Sequence, residues 1–288
     1  MKVAGKQLIW ISATEQEPIS SSPVVLKNYR IQEIRLIQAL IEANWEVGLP
    51  SALANSFLNS DAGFQSMPAP STPRMVDLEI STDHSKPLTR IGCIEKVLVF
   101  PESFFERVRR RWSNQRRVRM VFAGFFTVNR GMLMREIVES MACSAERSFS
   151  TICVRLLFRL FCLSGRCSIG LVNLLLRSAL PLDSIEFTDR GRDTLFKLQD
   201  DIYLEKLLSG KFALCPDGDF VWTYRFFEAT ACGCTPVIQS YCDHYEGYAF
   251  IHNRDKLRLL DKRQLDSNYD RSIQHLTCRN ELLSLHPQ

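Results

Sequence analysis

Ser209-Gly-Lys-Phe-Ala-Leu-Cys-Pro-Asp-Gly-Asp-Phe-Val-Trp-Thr-Tyr-Arg-Phe-Phe-Glu-Ala-Thr-Ala-Cys-Gly-Cys-Thr-Pro-Val-Ile-Gln-Ser240 decides the reading of this chain. Phe212 to Pro216 is a short apolar run closed by a proline, which predicts a buried strand. A glycine-bearing loop, Asp217 to Trp222, follows it. Tyr224 to Cys232 then has the pattern of a helix, with Gly233 as its natural C′ residue. Thr235 to Gln239 predicts another strand. In such a unit the helix N-terminus points N–H groups and a partial positive charge at the loop, which suits a phosphate. Arg225 sits in the first helical turn, where a guanidinium can fork onto a diphosphate. Glu228, three residues on, shares its face, and a carboxylate there can accept two ribose hydroxyls. Taken alone, Arg-x-x-Glu reads as an exposed intrahelical ion pair worth only about 0.3 kcal/mol. Ala229, Ala231 and Gly233 are small enough to let the helix approach the sheet closely.

The whole string resembles the exostosin-like glycosyltransferases, family 47 in the usual sugar-enzyme classification. Members look like S-K-F-x-L-C-P-x-G, a short gap, then S/T-x-R-F-x-E-A-x-x-x-G-C-x-P-V-I. The matching residues are Lys211, Phe212, Leu214, Cys215, Pro216, Gly218, Thr223, Arg225, Phe226, Glu228, Ala229, Gly233, Cys234, Pro236, Val237 and Ile238. Val121-Phe-Ala-Gly124, with Arg130 after it, is similar to the family's F-x-G strand end and following arginine. The resemblance covers residues 95 to 245 in patches and is silent on 151 to 180.

The resemblance implies an α/β chain of GT-B type, two Rossmann-like lobes facing a cleft. Residues 1–115 would form a reduced N-terminal lobe on the acceptor side, and 116–288 a donor-binding C-terminal lobe. The implied activity is inverting transfer of a hexose or pentose from a UDP- or GDP-linked donor, as in polysaccharide biosynthesis. The implied acceptor is a glycan or a lipid-linked hydroxyl. By the same resemblance Glu228 would bind the donor ribose and Arg225 the diphosphate. Gly218 would allow close backbone approach, Arg130 would reach a phosphate from the other side, and Gly124 and Thr223 complete the donor-binding set. Inversion requires a general base on the acceptor hydroxyl. No motif marks it; the base would come from the N-terminal lobe, where the candidates are Glu15, Glu17, Asp83 and His84. No cofactor beyond the nucleotide-sugar co-substrate is implied. Asp217-Gly-Asp219 spells the D-x-D that holds a metal in other sugar transferases. No metal is expected here, because GT-B sites neutralise the leaving diphosphate with Arg, Lys and helix dipoles. One departure concerns the acceptor side: Ser240 to Phe250 lacks the L-P-F run often found after the last strand.

Over 288 positions, 45% hydrophobic and 24% charged residues exclude a disordered chain, a collagen-like chain and a coiled coil. Net charge is +4, and 26 of the 36 basic residues are arginine, a bias toward anions. Strands are predicted at Leu8–Ser12, Lys96–Phe100, Val118–Ala123 and Ser184–Thr188, and helices from Ile31 to near Trp45 and over Asn129–Met141. Residues 50 to 90, with Pro68, Pro70, Pro73 and Pro87, read as a long irregular stretch. The alternation after residue 118 predicts a parallel sheet with ligands at its carboxyl ends.

Seven arginines and no acid lie between positions 107 and 119, and the lobe boundary is placed there, near residue 115. Such a run can be an electrostatic footprint for nucleic acid. No aromatic platform accompanies it, so it reads as a solvated linker or helix face, and no nucleic-acid partner is expected. Residues 151 to 180 are the most apolar part of the chain, but Arg155, Arg159 and Arg166 exclude a simple transmembrane span. As one helix, Arg155, Arg159, Arg166 and Arg177 would fall within a wedge of roughly 40°. Such a stripe faces either solvent or an anionic membrane surface. Ten irregularly spaced cysteines and the lack of any Asn-x-Ser/Thr sequon predict free thiols and a cytoplasmic protein, with peripheral contact at the inner membrane face as an option. The alternative to an enzyme is a non-catalytic protein that binds an anion, nucleic acid or membrane surface through its arginine-rich segments.

Overall fold

A computed structural model describes residues 8–10, 31–44, 46–48, 80–83, 87–113, 115–125, 130, 136, 185–188, 201–218, 220–253 and 255–285. The chain divides into two compact units. One comprises Met1–Glu106, Thr194–Asp200 and Ile273–Gln288, the other Arg107–Asp193 and Asp201–Ser272. The division falls after Glu106, before the arginine run rather than near residue 115. It also assigns the last sixteen residues (273–288) to the first unit.

In the first unit β1 (Leu8–Trp10) pairs in parallel with β2 (Glu46–Gly48), and α1 (Ile31–Glu42) connects them. A second sheet is an antiparallel meander of β3 (Ile80–Asp83), β4 (Leu88–Ile91) and β5 (Ile94–Lys96). The expected irregular stretch from 50 to 90 therefore contains regular structure at its end, and the expected strand over 96–100 stops at Lys96. Leu98, Val99 and Phe100 are buried without strand pairing, and the Phe100 N–H donates to Leu276 O at 2.7 Å. Phe100, Phe104 and Phe105 pack as a ring cluster, and the Arg35 guanidinium lies 4.0 Å from the Phe100 centroid.

The chain passes through α2 (Glu102–Arg110) into the second unit, which is built on a parallel sheet. Its strands are β6 (Val118–Phe125), β7 (Ile185–Thr188), β8 (Gly210–Cys215), β9 (Thr235–Ile238) and β10 (Ile251–His252), in the order β7-β6-β8-β9-β10. The predicted parallel sheet is thus present. Residues of β8 and β9 are buried almost throughout, as expected of strands covered on both faces. The helix α3 (Asp201–Ser209) leads into β8, and α4 (Tyr224–Ala231) leads into β9. Helices α5 (Lys262–Leu276) and α6 (Arg279–Ser284) follow. Among the described residues no helix is long and apolar enough to cross a membrane; residues 151–180 lie outside them.

Helix α4 ends as the sequence predicts. Gly233 has φ +67°, its N–H donates to Thr230 O, and the Cys234 N–H donates to Ala229 O at 2.9 Å. Beside it Arg116 gathers the carbonyls that two helix ends leave over. Nη1 donates to the oxygens of Leu208 (3.1 Å) and Gly210 (2.8 Å), and Nη2 to that of Cys232 (2.7 Å). A Cβ on Gly233 would lie 2.7 Å from Trp112 Cζ2 and 2.8 Å from Arg116 Nη2.

Gly233→Ala therefore meets both a left-handed backbone and a steric block, and it should destabilise the unit by about 2 kcal/mol or more. Arg116→Met, which keeps the stem and removes the donors, should cost about 2–4 kcal/mol, with Arg116→Lys between it and the parent. Urea denaturation of the three variants measures both.

Candidate functional site

In chain order the parallel strands run β6, β7, β8, β9, β10, so their spatial order is 2-1-3-4-5. From β6 the chain winds first to one side and then returns to the other. The direction of winding reverses between β6 and β8, and in open parallel sheets ligands bind outside the carboxyl ends of the strands at that reversal. Gly124 lies near the carboxyl end of β6, with Arg130 on the helical segment after it. Asp217 and Gly218 follow β8, and Thr223 caps α4 at the far side of the same loop. The topology thus brings five of the six predicted donor-binding residues to the reversal point. Glu228 follows one turn along α4.

Thr223 has extended backbone, and its side chain accepts from Arg225 N at 3.4 Å. Its own N–H donates to the Tyr245 hydroxyl at 2.9 Å. Tyr245 is stacked 3.7 Å from Phe226, which fixes the cap against the core. Arg225 is only 9% exposed. Its Nη2 donates to Ala123 O at 2.6 Å, and its Cζ lies 4.3 Å from the Phe122 ring centroid. Nε and Nη1 are buried and have no hydrogen-bond partner among the described residues. Gly124 makes this packing possible, since a Cβ there would fall 2.7 Å from Arg225 Nη2. Gly218 does the same for Arg130, whose Nη2 would lie 3.1 Å from a Cβ at that position.

Glu228 is fully buried and accepts from the Tyr203 hydroxyl at 2.9 Å. No ion pair joins it to Arg225 among the described residues. The exposed-pair reading of Arg-x-x-Glu is therefore corrected: both residues are buried, Arg225 turns toward β6, and Glu228 toward α3. The buried face of α4 decides this, and the sequence signals it through the flanking Phe226, Phe227 and Ala229. Tyr203 and Tyr245 were missed, because neither lies in a recognisable motif.

The loop after β8 is tied to the end of β9. Asp217 Oδ2 accepts from Ser240 Oγ at 2.6 Å, and Asp217 N donates to Gln239 Oε1 at 3.4 Å. Asp219 lies outside the described residues, and among those described no group of three His, Cys, Asp or Glu side chains is arranged to hold a metal ion. Of the base candidates, Glu15, Glu17 and His84 lie outside the described residues. Asp83 ends β3 in the first unit, paired with Leu88, and its side chain is not described. Compared with family models, curated proteins and solved structures, the chain matches none.

Most of the arginine run is solvated, as expected: Arg107, Arg109, Arg110, Arg117 and Arg119 are exposed, and part of the run also serves the fold. Arg109 pairs with Asp266 at 2.8 Å and lies over Trp112, Arg111 pairs with Glu205, and Arg116 holds the helix ends. The six described cysteines are free. Burial raises the Cys234 thiol to about 11, against the opposing pull of the Arg116 charge, and raises Cys278 to about 12.

Two outcomes follow from this packing. Glu228→Ala should leave a buried Tyr203 hydroxyl without this acceptor and cost about 1–3 kcal/mol in urea denaturation, not the few tenths of an exposed pair. At pH 8 a thiol with a pKa near 11 is thiolate in roughly one part in a thousand, so Cys234 should resist alkylation in the folded protein. Exposed Cys93 should label first, and Cys215, Cys232, Cys234 and Cys278 only on unfolding, as peptide mass mapping of native and denatured samples would read.

Proposed function

We propose that this chain is a glycosyltransferase that moves a sugar from a UDP- or GDP-linked donor to an acceptor hydroxyl. The observation that carries the reading is Arg225. A guanidinium in the first turn of α4, at the winding reversal, keeps two buried nitrogens, Nε and Nη1, without a hydrogen-bond partner among the described residues. Burying a charge without full hydrogen bonding is costly, and a diphosphate oxygen is the ligand group that offsets it best. Arg130 against Gly218 adds a second positive charge beside the same loop. The sixteen motif positions that resemble family 47 lend the reaction class.

On this reading Arg225 and the N-terminus of α4 hold the diphosphate, and their hold strengthens as charge grows on the leaving group. Arg130 approaches from the β6 side. Glu228 serves the ribose end. Inversion needs a general base on the acceptor hydroxyl, for which the candidates are Glu15, Glu17, Asp83 and His84. The acceptor would be a glycan or lipid-linked hydroxyl, with residues 151–180 as the membrane-surface contact. The reducing, cytoplasmic compartment belongs to the same proposal and is supported by the free thiols.

Saturating UDP or GDP should raise the melting temperature by mass action. Glu228→Gln keeps an acceptor for Tyr203 but loses the charge, so donor affinity should fall about ten- to a hundredfold. Arg225→Lys should lower the transfer rate even where binding survives, because it loses the fork. If UDP, GDP and their sugars all leave the melting curve unmoved, the donor site is misassigned.

A further inference from the structure

The carboxylate of Asp217 is fixed at one end and unsatisfied at the other. Oδ2 is held by the Ser240 hydroxyl at 2.6 Å and the backbone N–H by Gln239. Oδ1 is shut off from solvent and has no hydrogen-bond partner among the described residues. A buried carboxylate oxygen without a donor carries a desolvation cost that some hydrogen must offset. Asp217 stands two residues beyond β8, beside Gly218 and the Arg130 guanidinium, and across the winding reversal from Gly124 and Arg225.

Phosphate oxygens cannot fill this need, since they are acceptors and carry like charge. A hydroxyl can. In a nucleotide-sugar the group bonded directly to the outer phosphate is the sugar, whereas the base is separated from the phosphates by the ribose. We infer that Asp217 Oδ1 accepts a hydrogen bond from a hydroxyl of the transferred sugar and so selects which sugar the site takes. This rests on the nucleotide-sugar reading above. Ser240 is then a positioning residue that turns the carboxylate.

The test is subtractive. Binding of UDP, GDP and a panel of their hexose and pentose sugars is measured calorimetrically, with and without Mg²⁺, for the parent and Asp217→Asn. The variant should bind the free nucleoside diphosphate within about twofold of the parent and lose about tenfold or more on the nucleotide-sugar. Should the variant fail to fold, the parent alone decides. One member of a deoxy-sugar series on the same nucleotide should lose a similar factor, and the others should not. Equal loss for nucleotide and nucleotide-sugar, a loss seen only with Mg²⁺, or a deoxy series that binds uniformly overturns the assignment of Asp217 while leaving the donor site standing. A parent that binds no nucleotide at all removes both.

Discussion

A single guanidinium holds the amino-terminal edge of the parallel sheet. Arg116 collects carbonyl oxygens from the end of α3, from the first residue of β8 and from the end of α4. Each helix end carries partial negative charge and unpaired carbonyls, and an always-charged planar fork satisfies several at once. Trp112 adds an indole N–H to Ala231 O at 3.0 Å, and Gly233 leaves space for both side chains. With both C-termini fixed at this edge, both N-termini must lie at the opposite one. The cap of α4 with Arg225, and the first turn of α3 with Tyr203, therefore face the carboxyl ends of the strands. A purely structural arginine at one edge thus determines what the other edge can offer a ligand.

At that other edge each of two arginines lies against a glycine. Arg225 occupies the space over Gly124, and Arg130 the space over Gly218. A side chain at Gly124 would displace the Arg225 guanidinium, and one at Gly218 would press on that of Arg130. The familiar account of such glycines is close backbone approach to a phosphate. Here the approach is also between backbone and cation, so the glycines set where the positive charge stands. Phe122 supports Arg225 from below through its ring face, at a distance where cation–π attraction offsets part of the burial cost.

Local pattern carried much of this. The strand, helix and strand from 210 to 238, the left-handed turn at Gly233 and the parallel pairing of β6 with β8 all follow from apolar runs, proline and glycine. What stayed hidden is long-range. Phe226, Phe227 and Ala229 mark α4 as buried but not against what; the contacts that bury Arg225 and Glu228 come from Ala123 on β6, 102 positions from Arg225, and from Tyr203 on α3. The link between Asp217 and Ser240 spans 23 positions and joins two strand ends. The charge of the arginine run hid its use, since Arg116 and Arg109 act through hydrogen bonds and ring stacking that composition cannot reveal. The β3–β5 meander was obscured because its strands are three or four residues long, shorter than a periodic signal needs.

Glu228 shows how hydrogen counting narrows a role. Tyr203 has one hydroxyl hydrogen and gives it to Glu228, so toward any further group its oxygen can only accept. On the proposed reading, a ribose hydroxyl reaching this pair would have two ways to engage it. It can donate to the tyrosine oxygen, in which case the carboxylate acts at one remove by orienting and polarising the phenol. Or it can displace the phenol and donate to the carboxylate directly, in which case α3 must yield at its first turn. In both arrangements the hydrogen bond from Tyr203 to Glu228 sets what the pair can offer.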